Sequence, residues 1–216
     1  MRKHVFPIVI IALTIITWCV AWPYLPEEIP SHINVSGEVD DHMSKMGMMI
    51  FDVAIMGFIY ALFTLLPKID PKYANYKKFP KAFVIMNGAI IFFLFANNMM
   101  TLVNALGYNV PIGIVMNIML GILFVVLGNY MQQCKPNFFM GIKTPWTLSS
   151  EEVWRKTHRL GSKIMMLGGI VMILSAFLPG IWKMISVLSV ISLLVASTMI
   201  YSYVVYKKEM EESRRV

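Results

Sequence analysis

Six long apolar runs, at residues 5–22, 46–66, 82–107, 111–131, 161–179 and 182–206, alternate with shorter polar segments along this chain. Crossing the hydrocarbon core of a bilayer takes about 20 apolar residues as a helix, and each run falls in that range. The pattern therefore predicts an all-α, polytopic membrane protein with six transmembrane helices. The third run exceeds a minimal span, so it tilts or extends into the interface. No convincing internal repeat relates the runs, so an inverted-repeat transporter is not indicated. The first run follows "MRKH" as a signal peptide would. Trp18, Trp22 and Pro23 occupy the place of a small-residue cleavage site, however, which reads as a retained helix.

Composition sharpens this picture. The chain is 57% hydrophobic with a mean hydropathy of +0.66, and 14% of its residues are charged. That is well under the roughly 25% usual in soluble domains. A net charge of +7 would suit a nucleic-acid partner if it formed one patch. Here the charges sit between apolar runs, the membrane pattern, and no direct nucleic-acid binding is expected. All Lys and Arg except Lys45 and Lys183 fall at the N-terminus, in 67–81, in 132–163 or in the tail. The positive-inside rule then places both termini in the cytoplasm. It puts the acidic loop 23–45 outside and the stretch 141–160 inside. Three segments follow: 1–66 with the first two helices and the acidic loop, 67–131 with a basic loop and helices three and four, and 132–216 with a second cytoplasmic loop and the last two helices. Cys19, in an apolar run, and Cys134, in a polar loop, argue against a disulfide and match no metal motif.

Two loops carry the candidate chemistry. In the outer one, His32, Asp40, Asp41 and His42 are residue types that suit a divalent ion, but their spacing matches no defensible motif. In the inner one, Ser149 and Glu152 form an S-x-x-E capping box, with Leu148 and Val153 as the hydrophobic staple. A helix is predicted from about Ser150. Glu151–Arg155 and Glu152–Lys156 are i,i+4 pairs along it. Lys156, Arg159 and Lys163 share one face, and Trp154, His158 and Gly161 another. This predicts an interfacial helix, basic toward anionic lipid, running into the fifth span.

"LPEEIPSHINVSGEVDDHMSK" resembles the DUF1648-type domain that follows the first helix of SdpI-type membrane proteins, departing from it at Val39 and at Asp41-His42. "NFFMGIKTPWTLSSEEVWRKTHRLGSK" resembles the SdpI family's second signature, G-[IL]-[KR]-T-P-W-T followed by W-x-x-T-H. The two stand in the expected order, and the resemblance covers nearly the whole chain. It implies a bacterial cell-membrane immunity protein that protects against a secreted toxic peptide. Capture of a cytoplasmic transcriptional repressor is implied as a second role. Pro30, His32, Asn34, Gly37, Asp40, Lys45 and Asp52 are then the toxin-facing candidates. Gly141, Lys143, Thr144, Pro145, Trp146, Thr147, Trp154, Thr157 and His158 are the candidates for the cytoplasmic partner.

Asp52, in the second run, is costly in lipid and a functional candidate by default. Asn98, Thr101, Asn117, Ser186 and Ser189 match its depth, and Lys45 lies on its helix face. It serves either as one member of a polar knot between helices or as the ion or proton site of a small transporter. A membrane metallohydrolase built on His32 and His42 is a further alternative. No G-x-S-x-G, H-E-x-x-H, P-loop or dinucleotide motif occurs, so neither an enzyme nor a cofactor is expected.

Overall fold

The computed structural model describes residues 2–34 and 39–214; Gly37 lies outside them. Helix α1 (Arg2–Ala21) ends in a short 3₁₀ turn and leads to strands β1 (Glu28–Ile33) and β2 (Val39–Ser44). Helices α2 (Lys45–Ile69), α3 (Pro80–Ala105) and α4 (Ile112–Met131) follow, then the one-turn α5 (Pro145–Ser149), α6 (Glu151–Ser175) and α7 (Gly180–Ser213).

Helices dominate as expected, but the loop after α1 is an antiparallel β-hairpin, which an all-α reading omits. Glu28 pairs with Ser44 and Ile29 with Met43, and the register breaks on either side of His32. Pro30 has no amide hydrogen for a ladder, so an irregular two-stranded edge is where a strand tolerates it. Ile29 is fully buried against Trp18, Leu25, Met48 and Leu102, which pins the hairpin to the end of the bundle. Ser44 then caps α2 by accepting from the Gly47 amide at 3.2 Å.

Among the described residues five helical stretches are long and apolar enough to cross a membrane: His4–Tyr24, Lys45–Ile69, Pro80–Ala105, Ile112–Met131 and Gly180–Ser213. The run expected at 161–179 is not among them. It belongs to α6, which begins in polar sequence at Glu151 and stops at Ser175. Ser150 is the residue that caps α6, accepting from the Val153 amide at 3.3 Å. Ser149, expected in that role, ends α5 and donates to the Pro145 carbonyl at 2.6 Å. Glu152 takes both basic partners, Arg155 at 2.6 Å and Lys156 at 3.2 Å.

Helix α6 is the scaffold of the second half. Its buried positions include Trp154, His158, Gly161, Met165, Gly168, Met172 and Ser175, a stripe at i, i+3 and i+4 spacing. Within it Gly161 and Gly168 meet Thr198 and Val190 of α7, while the adjacent Ser162, Met166, Gly169 and Ile173 lie antiparallel on α4. At one end the Asn117 amide donates to the Met172 carbonyl at 2.6 Å and to Ser175 Oγ at 3.0 Å. At the other, Ser162 donates to the Gly128 carbonyl at 2.6 Å. Between them a Cβ added at Gly121 would stand 2.6 Å from the Gly169 carbonyl oxygen. The two backbones touch, an approach that small residues permit between helices in lipid.

Gly121→Ala must therefore push α4 and α6 apart, since a backbone carbonyl cannot swing aside as a side chain can. Overpacking of this kind costs about 1–3 kcal/mol. Thermal unfolding in detergent is expected to shift down by several degrees for Gly121→Ala. Gly57→Ala, where nothing lies within 4 Å of the added methyl, should leave it unchanged.

Candidate functional site

A cavity of about 870 Å³ opens at the hairpin end of the bundle, between the hairpin, α3 and the first turns of α4 and α7. Pro30, His32 and Asn34 line it, three of the residues singled out from sequence. The others do not. Asp40 lies just behind, its carboxylate 2.6 Å from His32 Nδ1. Lys45 does not reach along its helix to Asp52. Its ammonium pairs with Glu27 at 2.9 Å and lies 5.1 Å from the centre of the Trp22 ring. The described residues bring no third His, Cys, Asp or Glu to the His32–Asp40 pair.

Sequence reasoning passed over most of the cavity wall. Asn97, Asn104, Asn109 and Lys183 line it, beside Thr101 and Asn117, which sequence matched only to the depth of Asp52. Their signal was present in the chain: asparagines recurring through the end of an apolar run, and a lysine in the first turn of the last one.

Asp52 is buried within α2 and accepts a hydrogen bond from the Asn98 side-chain amide. It does not line the cavity. Depth-matching found this partner but misplaced another, because Asn117 serves Met172 and Ser175 instead. Ser175 in turn meets Ser186 at 2.7 Å, so a second polar knot joins α4, α6 and α7.

At the opposite end, the G-I-K-T-P-W-T and W-x-x-T-H motifs fold onto each other. Trp154 and His158 stack with ring centroids 4.0 Å apart. The Trp154 indole donates to the Cys134 carbonyl at 2.9 Å. His158 Nε2 accepts from the Ile142 amide at 3.0 Å, which leaves Nδ1 as the protonated nitrogen, 2.9 Å from the Trp154 carbonyl. Gly141 has φ +108, and a methyl there would collide with the His158 ring, so the motif's first residue must be glycine. Thr144 caps α5 and exchanges hydrogen bonds with Thr147 in a capping box, and its hydroxyl donates to Ser202 on α7 at 3.0 Å.

This arrangement corrects the picture of a contact surface. Thr144, Thr147, Trp154, Thr157 and His158 are buried; all but Thr157, whose hydroxyl has no hydrogen-bond partner among the described residues, bond within the loop or to α7. Lys143 and Pro145 remain exposed, with Gly141 and Trp146 half-buried, Trp146 against Tyr203. Pairing within the loop won because a chain turning between helices must satisfy its backbone somewhere. Two residues not singled out complete the loop. Buried Asp70 accepts from Tyr76 at 2.8 Å and from the Phe138 amide at 2.9 Å. Buried Asn137 accepts from the Phe139 and Met140 amides at 3.0 and 2.6 Å. Together they stitch 70–78 to 134–144. Desolvation and the neighbouring Asp70 push the Tyr76 hydroxyl well above its ordinary range, and burial pushes the Cys134 thiol up to about 12.

Comparison with known proteins places both halves. Residues 133–204 match the SdpI/YfhL protein family, and residues 9–67 match a domain of unknown function, DUF1648. The chain is 30% identical to Immunity protein SdpI of Bacillus subtilis (strain 168) over 208 residues, 96% of this chain and 98% of that one. No solved structure matches.

The His158 geometry yields a pH dependence. The ring lies before the apolar part of α6, and burial pushes its pKa down from 6.5 to about 4, against the Trp154 carbonyl that favours protonation. The unfolded chain then binds the proton more readily, so the neutral ring's contribution is complete above about pH 6.5 and lost as pH falls toward 4. Melting temperature in detergent should drop across that window, and His158→Gln should flatten the drop. An unchanged slope in the variant would contradict the assignment.

Proposed function

The chain is a member of the SdpI/YfhL protein family, and from that premise we propose that it protects its bacterial host from a secreted, membrane-active toxic peptide. It is a multi-pass bacterial membrane protein, and the proposed mechanism is binding rather than catalysis. The observation that carries the reading is the cavity at the hairpin end, large enough for several side chains of an inserted peptide and walled by amides that can satisfy its backbone.

The proposed orientation sets the hairpin outside and both termini in the cytoplasm. Five crossings would separate the termini and put one basic end on the wrong side. A sixth by α6 restores the match. Its support is that α6 runs along α4 from Asn117–Ser175 to Gly128–Ser162, so it traverses the same depth as a helix that does qualify as a span.

Repressor capture, the second proposed role, has a smaller surface than sequence suggested, namely Lys143, Pro145 and Trp146 beside the exposed Lys156, Arg159 and Lys163 of α6. Asp52 is proposed as a structural acceptor for Asn98 rather than an ion site, because it is outside the cavity.

In cells exposed to the toxic peptide, expression of the chain should restore survival. Gly113→Trp, which fills the cavity beside Lys183, should abolish that protection at normal membrane levels. Asp52→Asn should keep it, since an amide oxygen can accept from Asn98 equally well. Survival with the cavity filled would sink the binding-site reading, and a wild-type chain that protects nothing would sink immunity itself. For topology, cysteines at Glu28 and Lys77 in a Cys19→Ala background separate the alternatives. An impermeant maleimide should label the first in intact cells and the second only after lysis. Cys134 is buried and cannot report.

A further inference from the structure

The cavity wall has a charge pattern that nothing so far explains. Of the two lysines near the hairpin, Lys45 is committed to Glu27 and the Trp22 ring. Lys183 lines the cavity and makes no ion pair among the described residues. Its ammonium is turned inward across the cavity mouth, 3.4 Å from where a Cβ on Gly113 of α4 would sit. A lysine in the first turn of a helix faces the positive end of that helix's dipole, an unfavourable placement. Here α4 also starts at the cavity, and the capping positions Pro111 and Pro179 give neither helix a side-chain cap. Among the described residues no lining residue is Asp or Glu, whereas Asn97, Asn104 and Asn109 are among the amides present. Positive charge is thus concentrated in a half-enclosed space whose described lining residues carry no carboxylate, that of Asp40 lying behind His32.

We propose that Lys183 is the specificity residue of this cavity, pairing with a carboxylate of the bound peptide while the surrounding asparagines hydrogen-bond its backbone. This rests on the reading of the cavity as a peptide site. A lysine snorkelling to lipid headgroups would extend outward from α7 rather than against the first turn of α4. Asparagine amides, each both donor and acceptor, match a peptide backbone better than they match a phosphodiester, which only accepts.

The test uses purified full-length protein in phosphatidylcholine nanodiscs and two dansylated leucine-rich decapeptides, identical except for a free or an amidated C-terminus. Wild type should bind the carboxylate form at least tenfold tighter than the amide. Lys183→Gln should bring the two within about twofold, and Lys183→Arg should retain the preference. Absent or equal binding of the two peptides by wild type overturns the proposal, as does an undiminished preference in Lys183→Gln. Full displacement of the peptide by nanodiscs containing phosphatidylglycerol overturns it too, assigning Lys183 to lipid. Because no cell survival is measured, failure here leaves the immunity reading standing, and failure of immunity in cells leaves this result interpretable.

Discussion

The close approach of α4 and α6 is the contact on which the second half of the molecule is built. In lipid there is no hydrophobic gain from bringing two apolar helices together, so association depends on packing distance and on polar groups that find partners. Gly121 and Gly169 let the backbones touch, and Asn117 and Ser162 close the two ends of the seam. Helix α6 is the least lipid-like of the long helices, with Glu151, Glu152, Arg155, Lys156 and Arg159 in its first half. Its apolar part is held in place by α4 rather than by its own affinity for the bilayer. The same seam positions Asn117 in the cavity wall, with Ser175 and Ser186 behind it.

The two ends of the bundle use their polar residues in opposite ways. At the loop end nearly every polar side chain in the motifs is spent internally: indole on carbonyl, imidazole on amide, threonine on threonine, with Asp70 and Asn137 gathering the rest. Buried polar networks paired in this manner, here with the Thr157 hydroxyl as the exception, specify one loop conformation. At the hairpin end the asparagines and Lys183 surround open space instead. The family signature and the proposed ligand cavity thus lie at opposite ends of the bundle. The densest motif is structural, and the least conspicuous residues wall the cavity.

Much was legible from the chain alone, and for a definite reason. Apolar runs of membrane length, the placement of Lys and Arg and the helix start near Ser150 are local properties, set by transfer free energy and by backbone capping. Depth also put Asn98 among the possible partners of Asp52, though it could not choose Asn98 over Asn117. The hairpin was not legible. Its alternation is broken by Pro30, Ile29 is the one fully buried side chain of β1 among the described residues, and β2 is exposed throughout.

What the sequence determined by itself is a helical membrane chain of the SdpI/YfhL kind, with a basic side and an acidic loop. Tertiary structure decided which tryptophans are core, that Ser150 rather than Ser149 caps α6, that Lys45 turns to Glu27, and that Lys183 faces a cavity. Those outcomes depend on competition among partners distant in sequence, each taking the hydrogen bond or ion pair that geometry makes nearest. No spacing rule along one helix can foresee which neighbour another helix will bring.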